Sequence, residues 1–123
     1  MQTRVMKFGG SSLADSGRIR SAAEIVAKEA REGSSIAVVV SAMGKTTETL
    51  LGLAGEVSCT RDGRELDQLL ASGEQQSAAL FSLALKDLGV PARSYTGAQA
   101  GIRVAGMSMD ARISSIDPSA VRE

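Results

Sequence analysis

Two short strand-like segments, with one amphipathic helical pattern between them, constrain the fold of this chain most. Residues 4–8 (RVMKF) read as a short strand that stops at Gly9 and Gly10. Residues 36–40 (IAVVV) form a continuous, mostly β-branched run, which is typical of a strand covered on both faces, as in a parallel sheet. Strand, helix and strand in this order make a βαβ unit, whose crossover is right-handed by strong default. The sequence therefore predicts an α/β fold.

The helix between these strands follows from the spacing of its apolar residues. They fall on one helical face at Ile19, Ala22, Ala23, Val26 and Ala30. Arg31 stands in the last turn, where a cation suits the helix dipole, and Gly33 is the expected C-cap.

Two further helices are predicted downstream. A polar segment, residues 41–47, leads into a helix through Leu50, Leu51 and Leu53, and residues 58–64 read as an exposed loop. A longer helix ends at Gly89. Its expected buried face is Leu66, Leu69, Leu70, Gly73, Ser77, Leu80, Phe81, Ala84 and Leu88.

The last thirty residues give weaker signals. Residues 93–95 and 111–116 are strand candidates, and Asp117-Pro118 has the residue types of a helix N-cap and first turn. Since five residues follow Pro118, we expect the architecture to be incomplete within this chain.

Composition excludes several function classes. Lys+Arg and Asp+Glu both number 14, so no net charge favours nucleic acid or an anionic membrane. The chain has no histidine, which excludes Ser-His-Asp and Cys-His nucleophile systems, and its single cysteine, Cys59, excludes an internal disulfide. No apolar run is long enough to span a membrane. We expect a cytoplasmic protein with no nucleic-acid or membrane partner.

The segment at residues 7–12 (KFGGSS) lies where the first strand feeds the helix. Glycines without side chains allow a phosphate to approach main-chain N–H groups, and Lys7 could neutralise its charge. Taken alone, paired glycines more often make a simple tight turn. The position of this segment at the carboxyl end of a parallel strand favours a phosphate site, because ligands of open α/β sheets bind there.

Three other features are ambiguous alone. Gly44-Lys45-Thr46 resembles the end of a P-loop, but Val39 stands where that motif needs its first glycine. Gly73 inside the long helix predicts close packing or ligand access, and the neighbouring Glu74 could bind an ammonium group or simply face water. Cys59 has no accompanying base and is interpreted as incidental.

Together, the motifs are far more specific than any one alone. They are residues 7–12 (KFGGSS), 41–47 (SAMGKTT), 64–77 (RELDQLLASGEQQS) and 96–102 (TGAQAGI). In this order they resemble the aspartokinases of the amino acid kinase family, over nearly the whole chain. The resemblance implies a three-layer αβα sandwich with a mainly parallel sheet, of which residues 1–123 form the N-terminal portion of the catalytic domain.

The resemblance also implies a reaction. Aspartokinases transfer the γ-phosphoryl group of ATP, with Mg²⁺ held with the nucleotide, to the β-carboxylate of L-aspartate. The product is 4-phospho-L-aspartate, on the route to lysine, threonine and methionine. By motif match, Lys7 would be catalytic. The ATP phosphates would be bound by Lys7, Gly9, Gly10, Ser11 and Ser41, and aspartate by Thr47 and Glu74. No residue is assigned to a metal.

Departures from the family pattern leave alternatives open. The nucleotide-binding C-terminal half and the regulatory ACT domains of such kinases have no counterpart in residues 1–123, so we expect the isolated chain to be inactive and to self-associate or form a homo-oligomer. Gln76 replaces an apolar residue, which places an amide near the expected core face. The alternative functions are a stand-alone, non-catalytic binding or interaction module, and a kinase of glutamate or a carbamate.

Overall fold

The structure, a computed structural model, describes residues 2–59, 62–105 and 112–122. Its elements in chain order are β1 (Thr3–Phe8), a 3-10 helix (Gly10–Leu13), α1 (Ser16–Arg31), β2 (Ser35–Val40), α2 (Thr46–Val57), α3 (Gly63–Asp87), β3 (Ile102–Ala105), β4 (Arg112–Ile116) and α4 (Ser119–Arg122). None of the helices in these ranges is long and apolar enough to cross a membrane.

Strands β1 and β2 pair in parallel, as the sequence predicts. The register sets Lys7 beside Val39 and Phe8 beside Val40. Because side chains alternate across a strand, one face of this sheet carries Met6 and Phe8 of β1 with alternate residues of β2. That face packs against α1 and α3, which confirms the α/β class and the βαβ unit.

The core forms between this sheet face and the two helices. The rings of Phe8 and Phe81 lie 5.4 Å apart between centroids and are tilted by 40°. Leu13, at the end of the 3-10 helix, is fully buried in the same cluster. The other buried members are Ile19, Ala22, Ala23, Val26, Ala27 and Leu85.

The opposite face of the sheet carries exposed apolar residues. Val5 is 71% exposed and Val39 is 49% exposed. We expected residues 36–40 to be covered on both faces, but in the described chain α1 and α3 pack only on the face of Phe8 and Val40. A β-branched run therefore indicated the strand and its parallel partner, and it did not indicate how much of each face this chain covers.

The helix termini explain where the first elements begin and end. The Asp15 carboxylate caps α1 by accepting a 2.8 Å hydrogen bond from the Arg18 amide. At the other end Gly33 adopts φ +97°, a left-handed conformation that favours glycine and lets the chain leave the helix towards β2.

The long helix α3 differs from its predicted buried face. Its buried residues are Gly73, Ser77, Phe81 and Leu85. Leu80, which the apolar pattern placed in the core, is 41% exposed because the buried stripe follows a strict four-residue spacing. The helix begins at Gly63, inside the predicted 58–64 loop, whose residues 60 and 61 lie outside the described chain.

The strand predicted at residues 93–95 does not form; these residues have no regular structure. Residues 97–101 instead make a turn, in which the Thr96 hydroxyl accepts from the Gln99 amide while the Gln99 side chain accepts from the Thr96 amide. The turn leads into an antiparallel hairpin of β3 and β4. The predicted 111–116 strand is observed from Arg112, since residue 111 lies outside the described chain.

Candidate active site

The loops that follow β1 and β2 meet at the carboxyl edge of the parallel sheet. The Ser41 amide donates a 3.2 Å hydrogen bond to the Phe8 carbonyl oxygen, and the Gly44 amide donates one of 2.9 Å to the Gly10 carbonyl oxygen. Four of the predicted phosphate-binding residues, Gly9 to Ser11 and Ser41, are therefore close together in the main-chain framework.

Unpaired main-chain donors lie in this region. Within the described chain the N–H groups of Gly9, Gly10 and Ser11 donate no hydrogen bond, whereas the next N–H group, that of Ser12, donates to the Gly9 carbonyl oxygen over 3.1 Å. Consecutive main-chain N–H groups that have no partner within the protein suit anionic oxygens. The donor set of this segment thus fits a phosphate.

The two glycines have different structural reasons. A Cβ atom at Gly10 would lie 3.1 Å from the Ala42 carbonyl oxygen and 3.3 Å from that of Gly44, so the contact between the two loops requires glycine there. A Cβ atom at Gly9 would meet nothing within 4 Å. Gly9 is thus the position where open space, available to a ligand, accompanies a free N–H group.

Helix α3 joins the same loop through Gly73. A Cβ atom at Gly73 would lie 3.1 Å from Thr46 Cγ2 and 3.4 Å from Ala42 Cβ. Of the two explanations considered for this glycine, the structure supports close packing. The contact brings the first turn of α2 against the middle of α3, and the predicted aspartate-binding residues, Thr47 and Glu74, each directly follow one of the contacting residues.

The charged residues of the predicted site are exposed. Neither the Lys7 ammonium nor the Glu74 carboxylate forms an ion pair with a described residue. By strand alternation Lys7 lies on the sheet face opposite Phe8, whereas α3 packs on the face of Phe8. In the described chain the loops of the site meet, with Lys7 on one face of the sheet and α3 on the other.

A cleft of about 360 Å³ lies beside these loops. Its lining residues are Ala14, Met43, Lys45, Thr46, Thr49, Leu50 and Gln76. None of the predicted site residues lines it. Gln76, expected near the core face, is exposed and borders this cleft, so its amide carries no burial cost. The comparison with the family pattern placed Gln76 near the core face, but the buried residue is the next one along α3, Ser77.

The described residues contain no group of three or more His, Cys, Asp or Glu side chains that could hold a metal ion. Cys59 is exposed and free. The predicted site residues offer main-chain N–H donors, hydroxyl groups, the ammonium group of Lys7 and the carboxylate of Glu74.

The chain is similar to known proteins of one family. A sequence model described as the amino acid kinase family matches residues 2–123. The aspartokinase of Mycolicibacterium smegmatis is 46% identical over 119 residues, which are 97% of this chain and 28% of that protein. Aspartokinase 2 of Bacillus subtilis is 45% identical over 97% of this chain and 29% of its own length.

A solved structure shows the same similarity in three dimensions. The aspartate kinase from Synechocystis superposes with a TM-score of 0.76 at 46% sequence identity, covering 80% of this chain and 17% of the solved chain. This chain thus spans less than a third of the length of the relatives it matches. Since the family model covers residues 2–123, the chain belongs to the amino acid kinase family.

Proposed function

We propose that this chain is part of an aspartate kinase, which transfers the γ-phosphoryl group of ATP to the β-carboxylate of L-aspartate and forms 4-phospho-L-aspartate. Its similarity to aspartokinases supports this choice of acceptor. From the order of its motifs we assign residues 1–123 to the N-terminal portion of the catalytic domain. Because the chain spans 28% of the M. smegmatis relative, we expect it to bind ligands without turnover. A cytoplasmic location, expected for amino-acid biosynthesis, belongs to the same proposal.

The observation that carries the proposal is the run of three unpaired N–H groups at Gly9, Gly10 and Ser11. Phosphoryl transfer depends mainly on holding the phosphates and neutralising their charge. These donors would bind phosphate oxygens of ATP, with Ser41 beside them, and the ammonium of Lys7 would stabilise charge on the transferring group.

The acceptor would be held from the other side of the loop junction. The Glu74 carboxylate, which has no ion pair in the described chain, would accept a charge-assisted hydrogen bond from the α-ammonium group of aspartate. The Thr47 hydroxyl would donate to an aspartate carboxylate. Mg²⁺ neutralises phosphate charge in such reactions, and it is commonly held by phosphate oxygens and water with few protein ligands.

Two measurements test the proposal. Calorimetric titration of the chain with MgATP and with L-aspartate should give saturable binding, and L-glutamate should bind more weakly. Trapping with hydroxylamine should detect no aspartyl phosphate from the chain alone. The decisive arm replaces the aligned 119 residues of B. subtilis aspartokinase 2 with those of this chain, which should preserve aspartyl phosphate formation.

Variants make the decisive arm specific. In the chimera, Lys7→Ala should abolish the hydroxamate signal, whereas Lys28→Ala, at an exposed lysine on α1, should leave it unchanged. A folded chimera that binds aspartate but forms no aspartyl phosphate would favour the non-catalytic binding module. Turnover of glutamate in place of aspartate would favour another member of the family.

A further inference from the structure

We propose that Arg18 is a positioning residue: through the Ser11 carbonyl oxygen, the Ser12 amide and the Gly9 carbonyl oxygen it helps to fix the direction of the Gly10 N–H group, so that this group binds phosphate together with the N–H groups of Gly9 and Ser11. This inference rests on the proposed phosphate-binding role of that segment. Arg18 itself is assigned no contact with the ligand.

The first step is the hydrogen bond that Arg18 makes. Its Nη1 donates to the Ser11 carbonyl oxygen over 2.8 Å, across seven residues of sequence. Its own amide donates to the Asp15 carboxylate over 2.8 Å, which fixes Arg18 in the first turn of α1. The next residue, Ile19, is 4% exposed and anchors that turn in the core. The guanidinium group therefore extends from a fixed base to the loop.

The second step follows from peptide planarity. In a trans peptide the carbonyl group and the N–H group of the next residue point in opposite directions and cannot turn independently. Holding the Gly10 carbonyl oxygen on the Gly44 amide therefore fixes the direction of the Ser11 N–H group. Holding the Ser11 carbonyl oxygen on Arg18, while the Ser12 amide donates to Gly9, fixes the next peptide and the Gly9 carbonyl group with it.

The third step considers which restraints on the loop would remain if the Arg18 side chain were lost. The Gly10–Gly44 hydrogen bond and the buried Leu13 would still tie the segment to the core at its ends. The Ser11–Ser12 peptide would lose one of its two restraints, so the Gly10 N–H group that it helps to fix would have to be ordered when the ligand binds. We expect phosphate affinity to fall about tenfold, the scale of one charge-assisted hydrogen bond.

Salt dependence separates positioning from direct attraction, because Arg18 is also an exposed cation. Direct attraction between its charge and the ligand would be screened at high ionic strength, so an affinity difference caused by it would shrink there. A positioning effect persists, since the loop order that Arg18 provides does not depend on salt. Arg20→Gln is the matched control, because Arg20 is exposed on the same helix and makes no side-chain hydrogen bond with a described residue.

The experiment titrates the isotope-labelled chain with inorganic tripolyphosphate at low and high salt, following the amide resonances of residues 9–12 by NMR. Arg18→Gln should weaken binding about tenfold at both salt concentrations and speed hydrogen exchange of the Ser12 amide without ligand. Arg18→Lys, which keeps a donor, should restore part of the affinity. Arg20→Gln should match the parent chain in both readouts, and circular dichroism checks that each variant folds.

Each outcome decides between the hypotheses. A loss that disappears at high salt, or an unchanged Ser12 exchange rate in Arg18→Gln, would overturn the positioning role and leave the phosphate site intact. A parent chain whose resonances of residues 9–12 do not respond to tripolyphosphate would overturn the phosphate site itself, and with it the positioning role of Arg18.

Discussion

The amide of Gly44 donates a 2.9 Å hydrogen bond to the carbonyl oxygen of Gly10, and this bond ties together the two loops that follow the parallel strands. The same pair is in close steric contact, since a Cβ atom at Gly10 would lie 3.3 Å from the Gly44 carbonyl oxygen. The contact between the two loops thus depends on the absence of a side chain at Gly10. At the neighbouring Gly9, by contrast, an added Cβ atom would lie in open space.

This difference predicts opposite behaviour for two similar substitutions. Gly10→Ala should lower the free energy of unfolding by about 1–2 kcal/mol, because its Cβ atom would push the loops apart. Gly9→Ala should change that free energy by less than about 1 kcal/mol, since φ is −82° and nothing lies within 4 Å of the added atom. Urea denaturation of both variants measures the two effects.

Titration of the Gly9→Ala and Gly10→Ala proteins with tripolyphosphate tests whether Gly9 takes part in phosphate binding. Gly9→Ala should weaken binding although the fold is intact, because the methyl group would occupy the space through which an anion approaches. Unchanged affinity in a stable Gly9→Ala protein would show that the open space at this residue has no part in binding.

Gly73 gives a prediction that runs against helix propensity. Alanine in a helix interior is favoured over glycine by about 1 kcal/mol. Gly73→Ala should nevertheless destabilise the chain, because its Cβ atom would lie 3.1 Å from Thr46 Cγ2 and 3.3 Å from Leu50 Cδ1. Gly52→Ala, in α2 with nothing within 4 Å, should be stabilising by about 0.5–1 kcal/mol. Thermal or urea unfolding of the two variants would contradict this if both were stabilised.

The sequence predicted those elements that are specified by local patterns of residues. The strand at residues 4–8, the helix that follows it and the parallel partner at residues 36–40 all form, because apolar spacing and β-branching act over a few residues. Residues 93–95 had only a weak strand pattern and no partner strand to specify pairing, and they form no strand.

Contacts between distant segments were beyond what the sequence could predict. The glycines at residues 10 and 73 were noticed, but the atoms they approach, on Ala42 and Thr46, belong to a different loop and helix. No sequence pattern predicts the hydrogen bond from Arg18 to Ser11 either, since both residues have the character of surface positions. The loops of the site could be predicted, whereas the packing that holds them could not.

The core predicts a large effect at Phe81. This ring is 3% exposed and contacts the ring of Phe8, so it joins α3 to β1. Phe81→Ala should cost about 3–5 kcal/mol, a large part of the roughly 5–15 kcal/mol stability of a typical domain. Leu83→Ala, at a residue 62% exposed on the same helix, should cost far less. Phe81→Leu keeps most of the apolar volume and serves as the measurable variant if Phe81→Ala does not fold.

The exposed sheet face predicts self-association of the isolated chain. Val5 and Val39 are 71% and 49% exposed on the same face, and each strand of the two-stranded parallel sheet has an unpaired edge within the described residues. Exposed strand edges with apolar neighbours favour pairing between chains. The double variant Val5→Thr/Val39→Thr keeps β-branched side chains and removes apolar surface. It should therefore have a lower weight-averaged molar mass than the parent chain at the same concentration.

Light scattering over a concentration series measures this effect, and Val57→Thr is the matched control. Val57 is 85% exposed at the end of α2, so its substitution replaces an exposed valine that lies outside both strands. The control should associate like the parent chain. Equal loss of association in both proteins would assign it to general surface hydrophobicity, and a parent chain that stays monomeric at every concentration would contradict the prediction, because the sheet face would then be exposed without consequence.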